Sequence, residues 1–173
     1  MPPVHDRLQP ALLDRLTDDE PGAGTRHDGY RVMTKAELRQ AVLRDLNMLF
    51  NAVQPRADVI GGYPRIADSV LNYGLPPLAG QLASQQDVRE LESDIRRAIV
   101  RFEPRILDDA SLQVRALEAS SALDTHNVIE FEIHGRLWSQ PVPIEILLRT
   151  QLDLEGGRVD VLDAQAAPPG RAR

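Results

Sequence analysis

Apolar residues in the first half of the chain recur at intervals of three and four. Leu38, Val42, Leu46, Leu49 and Val53 fall on one face of a helix. Thr34 and Glu37 stand at capping-box spacing just before this stripe, where each side chain can satisfy the other's free backbone donor. The pattern predicts a helix over about 35–53, stopped before Pro55 because a proline ring disfavours a helical predecessor. In "YPRIADSVLNYGLPPLAG", Pro64 suits a first helical position and Ile66, Val70 and Leu71 share a face. Gly74 suits a left-handed C-cap, so a short helix is expected, followed by a rigid Pro-Pro connector. Ser84 and Asp87 repeat the capping logic before a third stripe of Val88, Leu91, Ile95, Ala98, Ile99 and Phe102. That helix has to stop at Pro104.

Beyond Arg105 the period drops to two. Ile129, Phe131 and Ile133 alternate with Glu130, Glu132 and His134, the mark of a strand with one wet face. Ile146, Leu148, Thr150, Leu152 and Leu154 alternate in the same way, and "EGG" turns the chain into "RVDVL", which predicts a hairpin. "ASLQVRALEA" is the expected first strand, though less regular. Helices followed by strands give an α+β class, N-terminal helices packed on a C-terminal antiparallel β-meander. Three parts are expected: an arm over 1–33 whose short apolar cluster "LQPALLDRL" docks as a helix before a turn-rich loop, a single α+β domain over 34–163, and a disordered tail over 164–173 with nothing to bury.

Composition narrows the function classes. A net charge of -6 argues against a phosphate-binding surface and hence against a nucleic-acid partner, since that surface needs clustered Lys and Arg. With no cysteine there is no disulfide, thiolate nucleophile or Cys-based zinc site to consider. Neither a signal-peptide core nor a run of about 20 apolar residues is present, so a cytoplasmic protein without membrane insertion is expected.

Candidate chemistry is sparse. Glu130 and Glu132 leave one strand face about 6.5–7 Å apart, a separation that a glycosidase can use. Alternating Glu on a solvated strand is the favoured reading, since no aromatic sugar platform accompanies the pair. His126 and His134 bracket the same strand without a recognised metal-ligand spacing. There is no nucleophile elbow and no phosphate loop, and no cofactor is expected. Trp138, the single tryptophan, is either a plug over a small core, the favoured reading, or a binding hot spot. In "RFEPR", Glu103 and Arg105 flank the proline that ends the long helix. They are a local ion pair on the residues alone, with a catalytic acid and its orienting cation, or a contact offered to another chain, as the alternatives. A Glu at the negative end of a helix calls for a compensating cation or donor.

Taken together, "LLDRL", "LRQAVLRDLNMLFNA", "YPRIADSVLNYGLPPLAG", "DIRRAIVRFEPRI", "IEFEIHGRL" and "PVPIEILLRTQLDLEGGRVDV" resemble the TssE family. These are baseplate subunits of the bacterial type VI secretion system, similar to the baseplate wedge protein of contractile-tailed phages, itself often labelled lysozyme-like. "SVLNYGLP" and "FEPR" are the most specific strings. The resemblance implies a non-enzymatic assembly part that contacts the wedge subunits TssF and TssG with their partner TssK, and that initiates the contractile sheath. It implies a wedge contact at Glu103, Pro104 and Arg105. The family's sheath subunits are linked by exchanged strands, so a sheath platform is expected on Leu148, Thr150, Leu152, Leu154, Arg158, Val159, Asp160, Val161 and Leu162, with the last strand offering free N–H and C=O groups. The alternatives are a lysozyme-type peptidoglycan hydrolase using Glu130 or Glu132 as acid, or the equivalent subunit of a phage or phage-derived contractile particle.

Overall fold

A computed structural model describes residues 10–16, 33–55, 62–67, 69–77, 85–117, 128–139 and 141–165. Helix α1 spans Leu12–Leu16. Helix α2 spans Lys35–Phe50 and starts with the expected capping box: Glu37 N–H donates to the Thr34 hydroxyl, and Thr34 N–H donates to the Glu37 carboxylate. It ends three residues short of the expected limit, because Asn51 caps it and Val53 leaves to form a parallel bridge with Leu75. Val53 is therefore exposed and not part of the apolar face, whereas Leu38, Val42, Leu46 and Leu49 are buried as expected.

The expected single helix after Pro64 divides into α3, Pro64–Ala67, and a 3-10 turn, Val70–Asn72. Ser69 intervenes: its hydroxyl accepts from Leu71 N–H and its own N–H donates to Ile66 C=O, which tightens the chain. Val70 and Leu71, expected on a buried face, are exposed. Gly74 does not cap a helix. It has φ of 120° and lies where the chain crosses the end of α2, and a Cβ there would sit 2.2 Å from the Ala52 carbonyl oxygen. Only glycine permits this approach, and Leu75 N–H then donates to Ala52 C=O.

Helix α4 spans Gln85–Phe102. Leu91, Ile95, Ala98 and Ile99 are buried, while Val88 and Phe102 pack at the margin of the core, so the third stripe holds throughout. Strands β1 (Gln113–Ala116), β2 (Val128–Leu137), β3 (Ile144–Asp153) and β4 (Val159–Asp163) form one antiparallel sheet in that order. β3 and β4 make the expected hairpin, turned by Gly157 at φ of 65°. The inner sheet face carries Phe131, Ile133, Leu137, Ile146, Leu148, Leu152, Val159 and Val161, all buried, and joins Leu46, Phe50, Leu91 and Ile99 in one core. The α+β class with helices against an antiparallel meander is thus the observed architecture. The expected loop at 17–32, Ser84, His126 and the tail beyond Gln165 lie outside the described residues.

Candidate functional site: a clamped corner and a closed sheet edge

The end of α4 is where sequence placed two charges beside a proline, and the fold turns them toward each other. Glu103 is 3% exposed, so it is an interior carboxylate rather than an outward one. Its Oε1 accepts from Arg105 Nε at 2.6 Å and from Arg105 N–H at 3.2 Å, and its Oε2 accepts from Arg105 Nη2 at 2.5 Å. Pro104 makes this possible. It ends the helix and bends the chain so that residues two apart can meet side by side in a bidentate pair. Arg105 Nη2 also reaches Asp45 of α2 at 2.5 Å.

The pairs continue as a chain of alternating charges. Arg44 holds Asp45 at 2.8 Å and Asp14 of α1 at 2.7 Å, so α1 is tied through α2 to the corner. Burial alone would lower the Arg105 pKa; the hydrogen bonds and charge of Glu103, then of Asp45, outweigh it and push it upward, so the guanidinium stays ionised. Tyr73 is pushed up by burial and by the charges of Asp45 and Glu103, and its ring meets Phe102 edge-on at 5.2 Å.

Beside the clamp lies an open cavity of about 510 Å³, lined on its apolar side by Leu13, Met48, Leu49, Tyr73 and Phe102 and on its polar side by Asp45 and Arg105. Arg105 Nη1 has no hydrogen-bond partner among the described residues. Pro104 is exposed at the rim, and the backbone N–H of Trp138 donates to Arg105 C=O at 2.7 Å. Trp138 is 47% exposed, which corrects the reading of it as a core plug. A tryptophan just past the end of β2, tethered to this corner, was not recognised in sequence as part of it.

The hairpin residues separate by parity. Leu148, Thr150, Leu152, Val159 and Val161 point into the core and Leu154 packs against it, while Arg158, Asp160 and Leu162 are exposed. The backbone edge of β4 corrects a second expectation. The outward groups of Val159 and Val161 are not free: Val159 N–H donates to Asn51 Oδ1 at 3.1 Å and Val159 C=O accepts from Asn51 Nδ2 at 2.7 Å. Val161 N–H donates to Asn47 Oδ1 at 3.1 Å, and its C=O accepts from Asn47 Nδ2 at 3.4 Å.

Glu130 and Glu132 stand on the outer sheet face, as the alternation requires. Gln151 donates to Glu130 at 2.9 Å, and Glu132 engages His134 at 2.8 Å with Arg149 at 4.0 Å. Neither carboxylate lines the cavity beside the clamp. Among the described residues no helix is long and apolar enough to cross a membrane.

The chain matches the family model described as baseplate wedge protein gp25 over residues 36–142, more than half its length. The match runs from α2 through the Glu103–Arg105 corner to the loop before β3, and stops short of the β3–β4 hairpin. Among curated proteins, the chain is 32% identical over 96 residues to a centrosomal protein of 104 kDa from Mus musculus, covering 51% of this chain and 10% of that protein. The chain thus spans about a tenth of that relative's length. No solved structure matches.

Proposed function

This chain belongs to the baseplate wedge protein gp25 family, and from that premise we propose that it is a structural subunit of a type VI secretion baseplate, of the TssE kind. Membership makes it a baseplate component of a contractile injection system. The finer reading is that it works in the bacterial cytoplasm, in a baseplate docked at the inner-membrane complex, without enzymatic activity. It binds the wedge subunits TssF and TssG, with TssK beside them, and gives the contractile sheath its first attachment. The observation that carries this reading is the family match across the helical half and its corner, where an apolar cavity and exposed Pro104 adjoin a fixed guanidinium and half-exposed Trp138 is tied by its backbone to Arg105.

The geometry sharpens how the corner would be read. Glu103 has little surface to offer a partner; it holds Arg105 in one direction, and Pro104, Arg105 and the cavity wall form the accessible part. A partner helix bearing a carboxylate and an apolar side chain fits that combination. At the hairpin, the sheath would meet Arg158, Asp160 and Leu162, since the remaining platform side chains are interior.

The test is co-purification of the full chain with TssF and TssG, for wild type and for Trp138→Ala and Met48→Ala, two exposed positions whose truncation spares the clamp. Loss of about tenfold or more in retained wedge subunits, with an unchanged melting temperature, is the expected outcome for truncation of an interface anchor. Full retention by both variants would sink the corner as the wedge contact. The equivalent role in a phage-derived particle shares the same family and is separated from this one by the genes that neighbour it.

A further inference from the structure

Asn47 of α2 and Asn51, its C-cap, lie four apart on the side of the helix that runs along β4. Arg158 and Ala164, which flank β4, bond β3 through their backbone, as alternation requires of Asp160 and Leu162 between them. Val159 and Val161 therefore face away from the sheet, and each is met by one asparagine that both donates and accepts. A carboxamide is chemically a peptide group, so each asparagine occupies the place that a residue of a fifth strand would take. The spacing permits this, because four helical residues advance about 6.0 Å, close to the roughly 6.8 Å between alternate residues of a strand. Arg39 extends the same side of α2 by donating to Glu145 C=O at 2.6 Å, where β3 outruns β4.

Two features mark the arrangement as more than incidental contact. Asparagine is a poor helix former, favouring caps and turns over interior positions such as 47. An uncovered strand edge, in turn, is a template for pairing with another chain. We propose that Asn47 and Asn51 form a latch that denies the β4 edge to an added strand, so that the free chain does not pair with a second copy of itself there. A strand from any partner joins at β4 only by displacing both amides.

The experiment uses the full chain and residue-resolved amide exchange. In wild type, Val159 and Val161 are protected to within about tenfold of Asp160 and Leu162, which bond β3. Exchange of Val159 and Val161 at unprotected rates would overturn the latch without any variant being made. In the double variant Asn47→Leu with Asn51→Leu, at a dilution where it is monomeric, protection at Val159 and Val161 falls by about tenfold or more while Asp160 and Leu162 keep theirs. Light scattering then shows concentration-dependent association, which Val161→Pro, removing an outward N–H, returns to monomer. A folded double variant that stays monomeric at high concentration, or association that survives Val161→Pro, overturns the proposal.

Discussion

Replacing Glu103 by Gln tests whether the corner is a built clamp. The substitution preserves shape and one acceptor, but it places an NH2 group against Arg105 Nη2, donor facing donor, where a 2.5 Å charge-assisted contact stood. A hydrogen bond to a charged group contributes about 1.5–3 kcal/mol, and breaking a buried ion pair from one side costs about 3–5 kcal/mol. Arg105 keeps Asp45, and its side chain is 22% exposed, so water recovers part of the loss. The lower end, about 3 kcal/mol, follows from these two offsets. For a chain of this size that corresponds to a fall in Tm of about 6–12 °C. Thermal unfolding followed by circular dichroism at neutral pH measures it. Arg105→Met, alone and combined with Glu103→Gln, closes a cycle in which the double variant is less destabilised than the sum by about 1.5 kcal/mol or more. A Tm within about 2 °C of wild type, or strict additivity, would refute the clamp.

Thr150 is buried at 1% exposure with no partner for its hydroxyl among the described residues, so Thr150→Val should stabilise the chain by about 1 kcal/mol, read as a higher urea midpoint. Gly74→Ala drives a Cβ against the Ala52 carbonyl at a φ that L-residues rarely adopt, and should cost about 3 kcal/mol or more by the same measurement. Asp109 is held down to about 2 by the Ser111 hydroxyl and N–H, then by Arg136, against an ordinary value of 3.8. Its folded pKa is depressed, so its contribution is present in full above the ordinary value and lost as pH falls through the folded one. A carboxyl titration by NMR should place the midpoint near 2 in wild type, and Ser111→Ala should raise it.

Where burial is periodic, sequence spoke plainly. The capping box at Thr34 and Glu37, the stripe through Leu91, Ile95 and Ile99, and the alternation in β2 and β3 each follow from which residues must leave water, and each is present. Val53, Val70 and Leu71 misled because apolar spacing says nothing of whether a partner surface is there; a crossing at Gly74 and a turn at Ser69 took those residues elsewhere. The corner was half legible. Charges and proline were evident, but whether Glu103 faced inward depended on Asp45, sixty positions from Arg105 in the chain. The closed edge left one trace, two asparagines a helical turn apart beside buried leucines, and nothing local links them to valines more than a hundred residues on.

Covering a strand with a helix also sets a limit on length. The helical step falls short of the strand step by about 0.8 Å, so the two scales slide past one another like a vernier. Two asparagines stay in register with Val161 and Val159, but after roughly four steps the slip would reach about 3 Å and the amides would face side chains instead of peptide groups. β4 spans only Val159–Asp163, and Arg39, eight residues before Asn47, bonds Glu145 of β3 instead. A last strand hemmed in this way has to be short, and any insertion that lengthened it would leave raw backbone at one end.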